Sequence, residues 1–343
     1  MSRPDKSKPM PVKYWSFAGL MLTYWCNARC ASCYVCGRPD GVGDMGVEAG
    51  LAMWAGLMSA SPHGCRVHIG GGEPFGRWPV LIELARRAKA AGLGPLSAVE
   101  TNAFWATGAG VVRDRLTALD AAGMGRLTIS ADPYHQQYVP IERVRLAARV
   151  GGEVLGEGRV RVRWRDWAAD GFDTGALSGR ERRRVFSAWA GRGRERLSGR
   201  AAVELAGLLQ LQPADRFADS PCVGPLLRSR HVHVDGDGIL CPGTCAGIIL
   251  GRARRADDVA RTWRRLSAAF GGPAGEVGAE LEVLSMLSAG GPAALLRAAR
   301  QRGFEPAGAG YAAKCHLCWQ VRQWLFENGH YRGQLGPAAV YRP

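Results

Sequence analysis

Among the 343 residues of this chain, the ten cysteines have the spacing that speaks most directly of chemistry. Cys26, Cys30, Cys33, Cys36 and Cys65 lie near the start and Cys222, Cys241, Cys245, Cys315 and Cys318 near the end, with none from residue 66 to 221. A disulfide framework is not expected in a chain of this length with no visible export signal, and two separate metal sites are. The first set reads Cys26-Asn27-Ala28-Arg29-Cys30-Ala31-Ser32-Cys33 and follows an apolar run over residues 17–22. Three thiolates in one tight loop can hold three irons of a 4Fe-4S cube and leave the fourth iron open to an outside ligand. A structural zinc prefers paired Cys-x2-Cys or Cys-x2-His units, so the unequal spacing speaks for the cube. Cys36 and Cys65 are read as small core or loop residues.

The surrounding pattern must position that loop. Apolar residues at i, i+3 and i+4 predict helices near residues 47–59, 79–91, 111–122 and 141–150. Short β-rich runs at 66–69, 96–99, 126–130 and 159–164 separate them. Parallel strands joined by crossover helices follow, giving an α/β fold of the partial (β/α)6-barrel type. Functional groups in such barrels sit at the C-terminal ends of the strands. That rule selects Gly70-Gly71-Gly72-Glu73-Pro74 after the second strand and Glu100-Thr101-Asn102 after the third. It also selects Ser130 through Gln136 after the fourth strand and Arg163 or Arg165 on the fifth.

A Cys-x3-Cys-x2-Cys loop after the first strand, with Gly-Gly-Glu-Pro after the second, resembles the radical SAM superfamily. The resemblance implies that Cys26, Cys30 and Cys33 bind a 4Fe-4S cluster and that S-adenosylmethionine chelates the open iron. Its cleavage would give a 5'-deoxyadenosyl radical that takes a hydrogen atom from substrate, with a flavodoxin- or ferredoxin-type protein donating the electron. Gly71, Gly72, Glu73, Pro74, Thr101, Asn102, Ser130 and Arg163 are the cofactor-binding positions it suggests. The residue before the last cysteine is usually aromatic in that family and is Ser32 here. Asp132 and His135 are expected to face substrate, with Tyr134 and Tyr138 as weaker candidates; the alternative is an Asp-Pro turn whose side chains bond the local backbone.

The second cysteine set spans a hairpin pattern, Cys222-x13-Gly236-x4-Cys241, and a distant Cys315-His316-Leu317-Cys318 that opens a helix. This resembles the shortened SPASM, or twitch, domain, which implies an auxiliary 4Fe-4S cluster on Cys222, Cys241, Cys315 and Cys318; a structural zinc on the same thiolates is the alternative. His231 and His233 are alternative ligands, or, since alternate residues on a strand point the same way, a buried or surface stripe. The division expected is a basic extension over residues 1–16, a barrel over 17–220 and a twitch-like unit over 221–343, with residues 179–194 and 199–211 forming long Arg-rich helices that close the barrel.

Cys245 is then a spare thiol, with a fifth ligand or a small buried apolar residue as the alternatives. An S–H bond is weaker than a carbinol C–H bond, so a thiol facing a substrate radical can return hydrogen from the opposite face. The leading expectation is therefore an epimerase acting on a sugar or aminocyclitol unit of a natural product, with Cys245 as donor. A carbinol dehydrogenase, or a sugar-acid decarboxylase, that passes an electron to the auxiliary cluster is the alternative. Peptide modification ranks lower, because the cluster loop already begins at residue 26.

Composition narrows the partners. With 47% hydrophobic and 22% charged residues the chain reads as globular. No apolar run reaches the length of a membrane span, and a cytoplasmic location is expected. The net charge of +15 comes mostly from arginine, only five of the 45 basic residues being lysine. The basic runs lack interleaved aromatics, so solvated helix faces are expected and a nucleic-acid partner is not; the partner expected is a small carbohydrate-like molecule.

Overall fold

The structure, a computed structural model, describes residues 12–271, 277–306 and 308–342. Residues 1–11 of the expected basic extension lie outside them. Five strands open the chain: β1 (Phe17–Thr23), β2 (Arg66–Gly71), β3 (Leu96–Thr101), β4 (Leu127–Ile129) and β5 (Val160–Val162). Helices α1 (Val47–Ser59), α2 (Trp78–Ala90), α3 (Ala109–Ala121) and α4 (Ile141–Leu155) connect them in turn. Each neighbouring pair of these strands runs parallel. In β1 every residue after Phe17 is buried, as expected for a parallel strand covered on both faces. Helix α4 buries Ile141, Val144, Ala147, Val150, Gly151 and Leu155, the i, i+3, i+4 stripe read from the sequence. Fully burying one such Val or Leu contributes about 1.5–3 kcal/mol, so an Asp at Val144 would break this packing.

The sheet continues on the other side of β1. Strand β6 (His231–Val234) pairs parallel with β1, and β7 (Ile239–Pro242) and β8 (Gly251–Arg252) follow antiparallel. The order is β5-β4-β3-β2-β1-β6-β7-β8. The sixth parallel strand therefore stands beside β1 rather than beyond β5, and the hairpin expected to begin a separate unit at residue 221 extends the same sheet.

Helices α5 (Arg165–Asp170), α6 (Gly179–Ala190), α7 (Arg200–Glu204) and α8 (Val223–Leu226) follow β5, and α9 (Ala256–Gly271), α10 (Glu282–Arg300), α11 (Lys314–Glu327) and α12 (Ala338–Tyr341) follow the hairpin. Only α6 matches the long helices expected over 179–211. It opens on a Ser178–Glu181 capping box. After it, Gly199 adopts φ +59°, and a Cβ there would sit 2.5 Å from the Tyr34 carbonyl oxygen. A glycine is needed because the chain presses against the cysteine loop at that point. Among the described residues no helix is long and apolar enough to cross a membrane.

Candidate active site

The cysteine loop leaves the end of β1 and is tied down by backbone bonds and one buried arginine. The Cys26 N–H donates to the Arg38 carbonyl (3.0 Å) and the Cys33 N–H to the Cys30 carbonyl (3.1 Å). Arg200, fully buried, donates from Nη1 to the Cys30 carbonyl (3.0 Å) and from Nη2 to the Gly37 carbonyl (3.1 Å), while its own N–H donates to the Cys33 carbonyl (3.0 Å). The Sγ of Cys26 accepts from the Ala28 N–H and that of Cys33 from the Gly37 N–H. Burial pushes the Cys26 thiol up to about 12, with nearby Glu73 adding to the rise and Arg200 opposing it. Thiolates so buried need positive charge beside them, which is what bound iron supplies. Cys36 and Cys65 are buried, and the Cys36 thiol donates to the Val340 carbonyl.

The glycine turn after β2 lies on the backbone that leads into this loop. Gly71 has φ +118°, and a Cβ there would sit 2.6 Å from the Thr23 carbonyl oxygen; a Cβ on Gly72 would strike the Trp25 carbonyl. The Gly72 and Glu73 N–H groups donate to the Thr23 (2.7 Å) and Trp25 (2.8 Å) carbonyls. Both glycines line the same cavity as Cys26, Cys30 and Cys33, whereas Glu73 and Pro74 do not. Glu73 is fully buried and its carboxylate accepts from the Phe75 N–H, the Thr101 hydroxyl (2.9 Å) and the Asn102 N–H (2.7 Å). Burial raises it to about 7 against those three bonds. Here Glu73 is a brace between the turn and the end of β3.

Thr101 and Asn102 line the cavity, and Asn102 Nδ2 donates to Asn27 Oδ1 (2.9 Å) and points at Cys26 Sγ (3.6 Å). Ser130, Asp132, His135 and Arg163 line it too. His135 Nδ1 lies 2.7 Å from Asp132 Oδ2, while Asp132 Oδ1 accepts the Tyr134 and His135 N–H groups. An aspartate that fixes an imidazole from behind leaves the other ring nitrogen to exchange protons. The turn bonding that the sequence left as an alternative is present, and it serves to aim the pair. The Arg163 guanidinium is engaged by Glu100 (2.8 Å). Tyr134 is core, packed edge-on against Phe186, and Tyr138 does not line the cavity.

The second cysteine set is divided between two places. Cys222, Cys245, Cys315 and Cys318 line one small cavity, and Cys241 does not line it. The Pro242–Cys245 turn, closed by the Cys245 N–H on the Pro242 carbonyl (3.1 Å), carries Cys245 away from the first cavity and into this one. Cys241 is instead buried within β7, opposite His233 of β6. Helix α11 presents Cys315 and Cys318 from its first turn. Kinked α10 receives the Cys222 N–H on its Leu287 carbonyl, and its Gly291 (φ +62°) lies against the Ser220 carbonyl. Arg322, buried one turn after Cys318, lines the same cavity and donates to the Ala246 carbonyl and Tyr341 Oη. Burial raises Cys318 to about 12 and Arg322 pulls it back down.

Sequence reasoning missed Arg200, Arg322, Glu195 and His68. Glu195, also on the first cavity, is raised by burial. The arginines carried no signal amid thirty-eight others; His68 did, as a histidine inside an apolar strand.

No protein-family model matches the chain, and no curated protein matches its sequence. Among solved structures, the chain is similar to BtrN in complex with AdoMet and 2-DOIA, at 14% identity over 76% of this chain and 89% of that one, with a TM-score of 0.45. It is also similar to native anSMEcpe with bound AdoMet and Cp18Cys peptide, at 14% identity over 91% of this chain and 97% of that one, with a TM-score of 0.43.

Proposed function

We propose that this chain is a radical SAM enzyme that oxidises a carbinol carbon of a small, carbohydrate-like substrate by two electrons. The observation that carries the reading is one cavity shared by Cys26, Cys30 and Cys33, the Gly71–Gly72 turn and the Asp132–His135 pair. The bound groups, a 4Fe-4S cluster with S-adenosylmethionine and an auxiliary cluster, would supply a 5'-deoxyadenosyl radical to remove the carbinol hydrogen and an acceptor for the second electron. Cys26, Cys30 and Cys33 would hold the first cluster, with Gly71, Gly72, Thr101, Asn102, Ser130 and Arg163 around the adenosylmethionine. His135, oriented by Asp132, would take the hydroxyl proton as the carbinol becomes a ketone.

The epimerase reading weakens because it requires a free thiol on the substrate side. No cysteine beyond the three loop ligands lines the first cavity, and Cys245 keeps company with Cys222, Cys315 and Cys318. We assign Cys245 to the auxiliary ligand set in place of Cys241.

Anaerobically reconstituted protein should hold iron for two 4Fe-4S clusters and cleave adenosylmethionine with a flavodoxin-type donor. Alanine at Cys26, Cys30 and Cys33 together should halve the iron and abolish 5'-deoxyadenosine. With the native substrate, found by untargeted mass spectrometry of cells with and without the protein, His135→Ala should still form 5'-deoxyadenosine but little product lighter by two hydrogens. Product of unchanged mass carrying one deuterium from deuterium oxide would restore the epimerase, and a single cluster's iron with zinc in the remainder would overturn the auxiliary cluster.

A further inference from the structure

Three histidines converge on the inner wall of the sheet without any part in the chemistry above. In the parallel register Gly19 of β1 faces His68 of β2 on one side and His233 of β6 on the other. Side chains in lateral register across adjacent strands share a face, so both imidazoles lean over the glycine. A Cβ built on Gly19 would lie 2.5 Å from His68 Nε2 and 2.6 Å from His233 Nε2. Residue 19 has no side chain, and the space it leaves is where the two nitrogens point. His231, two residues before His233 and on the same side of β6, brings its Nε2 to 3.0 Å from His68 Nε2.

One nitrogen from each of the three rings lies within 4.8 Å of the other two, a spacing at which a single ion could be held. His68 and His233 are buried and His231 half-buried, with Phe17 stacked against His68 and tilted against His231. His233 Nδ1 and His68 Nδ1 are buried without a hydrogen-bond partner, and His68 Nδ1 faces Glu100 Oε1 at 3.8 Å. Glu100 is in turn held by Arg163, the arrangement in which a carboxylate steadies a ligating imidazole from behind. Burial lowers the pKa of all three rings. His68 and His233 line the cavity that also holds the cysteine loop.

We propose that His68, His231 and His233 form an all-imidazole site for one divalent transition-metal ion of the zinc class, with its open coordination turned toward the substrate cavity. Three neutral imidazoles suit zinc or cobalt, and a fourth position left free would accept a hydroxyl or carboxylate oxygen. The site is separate in residues from both cysteine sets and stands whether or not these carry iron.

Cobalt(II) is the probe, added anaerobically to protein whose iron content is known. One further equivalent should bind saturably, with ligand-field bands in the visible and no thiolate-to-cobalt charge-transfer band. His231→Phe keeps an aromatic ring against Phe17 and removes a ligand, and His68→Gln removes another; both should lose that equivalent while circular dichroism stays unchanged. Zinc-edge X-ray absorption on the unsubstituted protein, loaded with one equivalent, reads the same question without relying on a variant to fold, and a shell of imidazole nitrogens is expected. A sulfur shell, undiminished cobalt in the folded variants, or no saturable binding, as a hydrogen-bonded histidine network would give, would overturn the proposal.

Discussion

Replacing Arg200 by methionine removes a buried fork that closes the cysteine loop while leaving a chain of similar volume. The guanidinium makes two bonds to carbonyls, Cys30 at 3.0 Å and Gly37 at 3.1 Å, and is shielded completely from water. A hydrogen bond from a charged donor contributes about 1.5–3 kcal/mol, so the pair is worth about 3–6 kcal/mol when both acceptors stay buried. The Arg200 N–H bond to the Cys33 carbonyl survives the substitution, because it belongs to the backbone. Arg200→Lys keeps the positive charge near Cys26 and Cys30 but can satisfy only one carbonyl well, and should lose about half as much. Denaturant unfolding gives the stability loss from the shift in midpoint at unchanged slope. Iron analysis after anaerobic reconstitution reads the loop itself: the Cys26, Cys30 and Cys33 site should lose its iron while the Cys222, Cys245, Cys315 and Cys318 site keeps it. A change below about 1 kcal/mol for Arg200→Met, with full iron at both sites, would refute the reasoning, since an exposed arginine would behave that way.

Glu73 gives the metal-free chain a pH dependence of definite sign. Its pKa rises from 4.5 to about 7 in the fold, so the folded state holds a proton that the unfolded chain has already lost. Stability should be greatest below pH 4.5 as far as this group is concerned, and fall by about 3 kcal/mol as pH rises through 7; a Glu73→Gln chain with the same slope in urea unfolding would count against it. Cys245→Ser should lower iron at the second site, whereas Cys241→Ser should leave it in place; the reverse pattern in iron analysis would return Cys241 to the ligand set. Binding to generic duplex DNA or RNA at physiological salt should be no tighter than roughly 10⁻⁴ to 10⁻⁶ M by fluorescence anisotropy, and sequence-dependent submicromolar binding would show that the +15 charge is organised for nucleic acid.

The sequence by itself determined the parts of this protein that are local. Cys26, Cys30 and Cys33 fall within one short loop, so their spacing alone limits which metal groups they can serve. The glycines at 71 and 72 were placed at the end of the second strand, and the alternation of β-rich runs with helical stripes determined the parallel β1–β5 pairing, because parallel neighbours need a crossover connection such as a helix between them. Asp132 and His135, three residues apart, were legible for the same reason.

What only the tertiary structure decided depends on residues far apart in the chain. Nothing in the pattern of β6 says that it pairs with β1 rather than standing in a separate unit, since a strand's open backbone N–H and C=O groups can pair with any strand in reach. That one pairing brings His231 and His233 to His68, 163 residues away in the closest contact. Cys245 and Cys241 differ by four positions, and the turn at Pro242 alone carries one into the second cavity and leaves the other in the sheet. Arg200 meets the Cys30 carbonyl across 170 residues, and among so many arginines only burial separates it from those that merely face water.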